Sequence, residues 1–565
     1  MKIDWDVPIR MDDGLELRAD VFRPQAEGRY PAILSYGPYG KGLAFPEGYK
    51  TAWEIMARDN PDALAGSSNR YQNWEVVDPE KWVPEGYACI RVDSRGAGRS
   101  PGYLCHNNAR ETRDIYLCVE WAAQQPWCSG RIGMNGISYY ASNQWRAAAS
   151  QPPHLAAICA WEGWNDAYRD GNRHGGIICT FRKHWQDMQV KTVQHGQGER
   201  GARSRVTGET VCGPDTLSEK ELGENRENMW GEILSREMDG AYYRERSADL
   251  SNITVPLLSA ANWGGQGLHT RGNFEGFVRS KSEKKWLEVH GGSHWAPFYT
   301  DYGVQLQKRF FDFYLKSEPN GWDKQPRVQL NIRHPGEKFV LRHENEWPLA
   351  RTKWTRFYLH KNLSLSEKAQ KENSTLSYDA MGDGVTFSMV AEKQTEITGP
   401  SALKLLISSS TTDADIFAVL RVFDRKGKEV LFQGALDPKT PVGQGWLRAS
   451  HRELDPQLSL PYRPWHTHHE KQPLEPGKPV ELDVEIWPTC IVVPAGYRVA
   501  LSIRGRDYEH DGEAASLSNM KNPMKGCGPF VHDDPVDRPP AIFGGRVTLH
   551  FEKKPFLLLP VIPAR

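Results

Sequence analysis

Four short apolar runs constrain this chain more than any other feature: PAILSY (31–36), YACIRVD (87–93), RIGMNGI (131–137) and LAAICAW (155–161). None alternates polar with apolar residues, so each reads as a strand buried on both faces, the kind found in parallel sheets. Between them, residues 111–125 carry apolar side chains at helical spacing, and residues 139–150 turn Ala141, Ala147, Ala148 and Ala149 inward. Strands alternating with helices predict an α/β sheet, mainly parallel and covered on both faces. A hairpin around Asp12, Asp13 and Gly14 precedes it,.

The strand signal stops after Trp161. Residues 164–248 are polar, rich in Arg, His and Trp, and read as an inserted helical cap. The sheet resumes with VPLLSAAN (255–262) and KKWLEVHG (284–291), followed by the amphipathic helix VQLQKRFFDFYLK. Beyond residue 351 short alternating runs such as LKLLISSS, FAVLRVFD, ELDVEIWP and YRVALSIRG are separated by Gly, Pro and Asp turns at regular intervals. That pattern predicts an antiparallel β-sandwich. A chain of 565 residues exceeds a single hydrophobic core,. The expected division is a core (1–163 and 249–350), a cap (164–248) and a sandwich (351–565).

Lys plus Arg and Asp plus Glu both number 71, and no long basic run appears. The electrostatic footprint of a nucleic-acid binder is therefore missing. No apolar stretch has membrane-spanning length, and the charged start MKIDWDVPIRMDDG has no signal core,. Nine scattered cysteines without a CxxC pair point to reduced thiols,. The cytoplasm is the expected compartment, with a homodimer left open.

Ser138 stands at the seam between the third run and the alanine-rich helix. In an α/β sheet, the C-terminal strand edge is where ligands bind. A serine on that tight turn is pushed clear of the backbone, beside the free N–H groups of the helix start. Gly136 supplies the small neighbour, although Tyr140 fills the last place of a Gly-x-Ser-x-Gly elbow. A serine needs a base, and WLEVHGGSHW offers His290 and His294. His290 ends a predicted strand and reads as core. His294, in the following loop at the same sheet edge, is the better choice. The loop 96–102 lacks the dinucleotide fingerprint, and HTHHE (466–470) has no partner cluster for a metal,. No cofactor is expected.

The chain resembles the CocE/NonD hydrolases, relatives of cocaine esterase and Xaa-Pro dipeptidyl-peptidase. The resemblance rests on GPYGKG, RVDSRGAGRSPG, WCSGRIGMNGISYYA, HTRGNFEGF, GGSHW and PAGYRVALSIRGRD, spread over nearly the whole length. It implies an α/β-hydrolase core, an inserted helical cap and a C-terminal jelly roll. It further implies Ser138 as nucleophile, His294 as base, and Tyr39 with the backbone N–H of Tyr139 as oxyanion donors.

One element departs from the pattern. Gly265 stands where the family carries its acidic residue. Glu162, at the end of the strand after the nucleophile strand, is the first replacement, with Asp166 second and Glu275 third. The resulting expectation is a serine esterase acting through an acyl-enzyme, with amides or Xaa-Pro peptides ranked below small-molecule esters. Trp161, Trp164, Trp185, Trp263 and Trp295 are the candidates to line its pocket. Loss of the acid leaves two alternatives: a non-hydrolytic acyl transferase or cyclase, and a catalytically silent binding protein.

Overall fold

The four apolar runs lie at the centre of a ten-stranded sheet in the computed structural model, which describes residues 1–369, 373–517 and 520–564. Its strands are β1 (Lys2–Arg10), β2 (Glu16–Arg23), β3 (Tyr30–Gly37), β4 (Ala88–Asp93), β5 (Cys128–Ile137), β6 (Leu155–Trp161), β7 (Leu257–Asn262), β8 (Lys285–His290), β9 (Val328–His334) and β10 (Lys338–Glu344). They run in the order β1-β2-β4-β3-β5-β6-β7-β8-β9-β10. From β4 across to β9 every neighbouring pair is parallel. All residues of β4 and β7 are buried, as expected of strands without polar alternation,. The chain steps from β3 to β4 on one side and then back to β5 on the other, so the crevice at the C-terminal edge lies between β3 and β5,.

The hairpin β9–β10 adds two strands that the sequence reading lacks. β10 is an edge strand, mostly exposed, so it has no apolar run to betray it. Four helices cover the sheet: Ala109–Ala123, Tyr139–Ala149, Thr270–Arg279 and Asp301–Leu315. The first starts where the Asn108 side chain accepts the N–H of Glu111, satisfying one free donor of the helix end.

Residues 164–248 form short pieces rather than long helices: Phe181–Trp185, Glu219–Glu224, Met229–Ser235 and Ala241–Arg246, with a π-helical turn at Ala167–Asn172. Their shortness follows from the absence of a sustained apolar stripe. Charge contacts hold them instead, such as Arg169 to Asp239 at 2.7 Å and Arg173 to Asp537 at 2.8 Å.

A second, eleven-stranded antiparallel sheet begins at Lys353. Its long strands Thr395–Ser409 and Val480–Val493 pair from Thr395 with Val493 to Ile407 with Val480. Leu403, Leu405 and Ile407 pack against Leu482, Val484 and Ile486 on one face, the period of two that the sequence shows. Arg271 ties the parts together, reaching Asp170 at 2.9 Å and Glu485 at 3.0 Å. Among the described residues, no helix is long and apolar enough to cross a membrane.

Candidate active site

Ser138 has φ 60° and ψ −110°, a backbone shape that non-glycine residues rarely adopt,. The turn holds because the Ser138 N–H donates to the carbonyls of Trp161 and Glu162 at 3.1 Å, and Ser142 N–H caps back onto Ser138. Gly136, with φ 152°, is obligatory here: a Cβ would come within 2.5 Å of the Tyr140 Cβ. Tyr140 explains the broken elbow motif. Its ring lies against Gly37 at the end of β3, where a Cβ would be 2.5 Å from it. The glycine that the elbow lacks is supplied by the neighbouring strand.

The imidazole in contact with Ser138 is not the expected one. Ser138 Oγ lies 3.0 Å from His269 Nε2. His294 is stacked parallel to His269, ring centres 5.4 Å apart, with both nitrogens engaged. Its Nδ1 meets Glu162 Oε2 at 2.7 Å and its Nε2 meets Glu75 Oε1 at 3.0 Å. The expected contact between Ser138 and His294 is therefore absent, because Glu75 occupies the nitrogen that would make it. His290 continues the chain, joining Glu162 at 3.0 Å and Glu288 at 2.7 Å.

The charges of this buried chain differ sharply from residue to residue. Burial alone would raise the Glu162 carboxyl, but the charge of His294 and hydrogen bonds from both histidines hold it at about 2. Burial opposes the His294 imidazolium, yet Glu162 and then Glu75 lift it to about 10. Burial raises Glu75 to about 7 against the pull of His294. His269 goes the other way. Burial, then the charge of His294, push it well below its usual value. At neutral pH His294 is thus a clamped cation, and His269 a neutral ring whose Nε2 can accept the serine proton.

Of the three carboxylates weighed for the missing acid, only Glu162 reaches His294. Asp166 caps the N–H groups of Tyr168 and Arg169, and Glu275 pairs with Arg463. At Gly265 a Cβ would meet Thr270 Oγ1 at 2.8 Å, so the usual position is closed to an aspartate unless Thr270 moves. Sequence reasoning missed His269 and Glu75. Glu75, at φ 62°, lies in a loop before the helix Pro79–Trp82, with no strand to mark it.

Ser138, Glu75, His269 and His294 line one pocket. Tyr39 lines it, its oxygen accepting the Trp185 indole N–H at 2.9 Å. Burial, then the charge of Glu75, hold its phenol well above its usual value, so it remains a donor. Asp93 fixes that loop by accepting the N–H groups of Lys41 and Arg99 at 2.6 and 2.8 Å. The N–H of Tyr139 opens the helix after Ser138, where no turn precedes it to accept a bond,. Trp164, Trp185 and Trp295 line the pocket; Trp161 and Trp263 do not. Trp161 stacks on His290 beneath the site, and Trp263 packs with Phe274 and Trp347 in a separate core. Leu517, Met520 and Phe530 of the second domain complete the wall.

Among the described residues, one group has spacing suited to a metal: His174, Cys179 and His532. A direct bond of 2.8 Å between the two rings, with Asp507 on His532 and the Asp170 carbonyl on His174, accounts for their nitrogens without an ion. In HTHHE, His468 bonds His451 at 3.0 Å.

A strained serine at a strand-to-helix turn, an imidazole on its oxygen and donors beside it define a serine hydrolase of the α/β-hydrolase class. Residues 13–296 match the X-Pro dipeptidyl-peptidase (S15 family), and residues 320–516 match the X-Pro dipeptidyl-peptidase C-terminal non-catalytic domain. The chain belongs to this family and, within it, to the CocE/NonD hydrolases. A CocE/NonD family hydrolase from Staphylococcus aureus superposes with a TM-score of 0.85 at 30% identity, over 99% of this chain and 94% of that one. Cocaine esterase of Rhodococcus sp. (strain MB1 Bresler) is 24% identical over 584 residues, 89% of this chain and 90% of its own length. An α-amino acid ester hydrolase shares the fold at a TM-score of 0.68 and 14% identity, covering 99% of this chain and 96% of its own.

Proposed function

We propose that this enzyme hydrolyses small-molecule carboxylic esters through an acyl-enzyme on Ser138, with His269 as the base. The contact of 3.0 Å between Ser138 Oγ and His269 Nε2 carries the reading. Ser138 attacks the acyl carbon as its proton passes to His269. The tetrahedral oxyanion takes hydrogen bonds from Tyr139 N–H and Tyr39 O–H. The C–O bond then breaks, and His269 returns the proton to the departing alcohol. Water, deprotonated by the same ring, attacks the acyl carbon and releases the acid.

Ester cleavage ranks above amide cleavage on the surroundings of His269. Its Nδ1 is buried without a hydrogen-bond partner among the described residues, so the imidazolium has no adjoining carboxylate to stabilise it. Leaving groups that need little help from an acid suit such a base.

A second reading has one observation in its favour. His294 carries the buried Glu162 on Nδ1, the arrangement that orients a catalytic base, and would serve if Glu75 released its Nε2. The experiment is fluorophosphonate labelling and ester turnover in Ser138→Ala, His269→Ala and His294→Ala. Labelling that survives Ser138→Ala rejects the nucleophile; full turnover in His269→Ala rejects that ring as the base.

A further inference from the structure

The pocket that holds Ser138 also holds a cation without an anion. Arg182, in the cap helix Phe181–Trp185, lines it and is 4% exposed. Its Nε donates to the Gly171 carbonyl at 3.3 Å, and its guanidinium lies over the rings of Trp164 and Trp185 at 5.2 and 5.3 Å. Among the described residues no carboxylate pairs with it, and its two terminal nitrogens have no hydrogen-bond partner. Other deeply buried arginines are treated differently. Arg146 meets Glu111, Arg173 meets Asp537, and Arg448 meets Asp415. Arg91 and Arg333, which lack a carboxylate, place nitrogens on backbone carbonyls.

A buried charge without an anionic partner is costly. Stacking on indoles serves the faces of a guanidinium but leaves its in-plane N–H donors unmet. Those of Arg182 are unmet at the wall of a substrate pocket. We propose that Arg182 anchors a carboxylate on the substrate, so that the enzyme selects esters carrying a second, anionic group. The inference rests on Ser138 being the nucleophile of this pocket. The planar fork of arginine matches a carboxylate bidentately. One guanidinium balances one negative charge, and Glu75 in the same pocket disfavours a dianion, so a carboxylate is a better match than a phosphate. The anchor also bears on the base: the Arg182 charge is among those that keep His269 neutral. A carboxylate on Arg182 offsets that charge and makes the ring more basic when the matching substrate is bound.

The test compares kcat/KM of the wild-type enzyme on matched esters. One series is the 4-nitrophenyl half-esters of succinic, glutaric and adipic acids against neutral acyl chains of equal length. The other places the carboxylate on the alcohol, 4-acyloxybenzoates against phenyl esters. Charge-assisted hydrogen bonds of this kind give a preference of about 10- to 100-fold for the anionic member of one series, and that series identifies which side of the ester bears the carboxylate. The preference should shrink about 10-fold or more in Arg182→Gln, and less in Arg182→Lys. Neutral esters matched or preferred in both series overturn the proposal, as does an unchanged ratio in Arg182→Gln. Should that variant not fold, the wild-type ratio and Arg182→Lys decide. Calorimetric binding of the anionic and neutral members of both series to Ser138→Ala separates the two readings. An anionic preference in binding upholds the Arg182 anchor even if turnover survives that substitution, and its absence rejects the anchor whatever Ser138 does.

Discussion

Ser138 Oγ sits 3.0 Å from Nε2 of His269, whereas the better-supported ring, His294, is held off by carboxylates on both nitrogens. The two histidines should therefore fail differently when removed. His269→Ala is expected to lower kcat on 4-nitrophenyl acetate by about 10²- to 10⁴-fold, the contribution of a general base, with little change in folding. His294→Ala strips a cation from two buried carboxylates and is expected to cost about 3–5 kcal/mol of stability. Urea unfolding and steady-state rates on both variants check this. A folded His294→Ala that loses the more activity reassigns the base.

The same buried chain sets the pH dependence of stability. Glu162, held at about 2 against an ordinary 4.5, stabilises the fold above pH 4.5, and that contribution disappears as pH falls toward 2,. His290 and His294, raised to about 9 and about 10 from an ordinary 6.5, stabilise below pH 6.5 and lose their contribution as pH rises through those values. Glu75, raised to about 7, also favours the fold when protonated, so its contribution fades between pH 4.5 and 7. Thermal midpoints measured from pH 4 to 10 should fall on the alkaline side. The difference between wild type and Glu75→Gln should slope between pH 4.5 and 7; a flat difference curve contradicts the assignment.

Tyr39 is the oxyanion donor that side-chain substitution can remove. Tyr39→Phe keeps the ring against Tyr139, Tyr140 and Trp185 and deletes only the hydroxyl. Loss of one such donor costs about 10²- to 10³-fold in kcat, with KM little changed because the bond forms to the tetrahedral oxygen. A parallel rise in KM with kcat preserved would mean that the hydroxyl binds ground-state substrate.

Much of the scaffold is legible because burial on both faces forces apolar runs. β6 occupies the residues read as a strand from LAAICAW, and the elbow follows from Gly136 and the helix after Ser138. Glu162 is legible for the same reason: it caps a readable strand, so its sheet edge is known before its partner is. His269 and Glu75 are not. Both lie in loops whose course is set by packing, and neither has a spacing relation to Ser138. The segment around His269 draws the eye to its missing aspartate, not to the imidazole four residues on. The outer wall is equally hidden, because Leu517, Met520 and Phe530 arrive from another domain. Trp161 and Trp263 show the opposite error: large aromatics at strand ends served the core.

The displaced glycine of the elbow gives a test of packing that needs no substrate. A Cβ on Gly37 would sit 2.5 Å from the Tyr140 ring, so Gly37→Ala is expected to cost about 1–3 kcal/mol by overpacking. Tyr140→Ala removes the obstacle at its own cost, a cavity beside the elbow. If the ring alone makes Gly37 necessary, the two changes are strongly non-additive, with a coupling of at least about 1 kcal/mol in urea unfolding. Gly136 should behave otherwise. Its φ of 152° suits glycine, and an added Cβ would meet the Tyr140 Cβ, which alanine retains, and the Glu75 carbonyl at 3.1 Å. Gly136→Ala should therefore remain destabilising in the Tyr140→Ala background. Simple additivity for Gly37 and Tyr140 would show that the helix, and not the tyrosine ring, is what approaches β3 at that point.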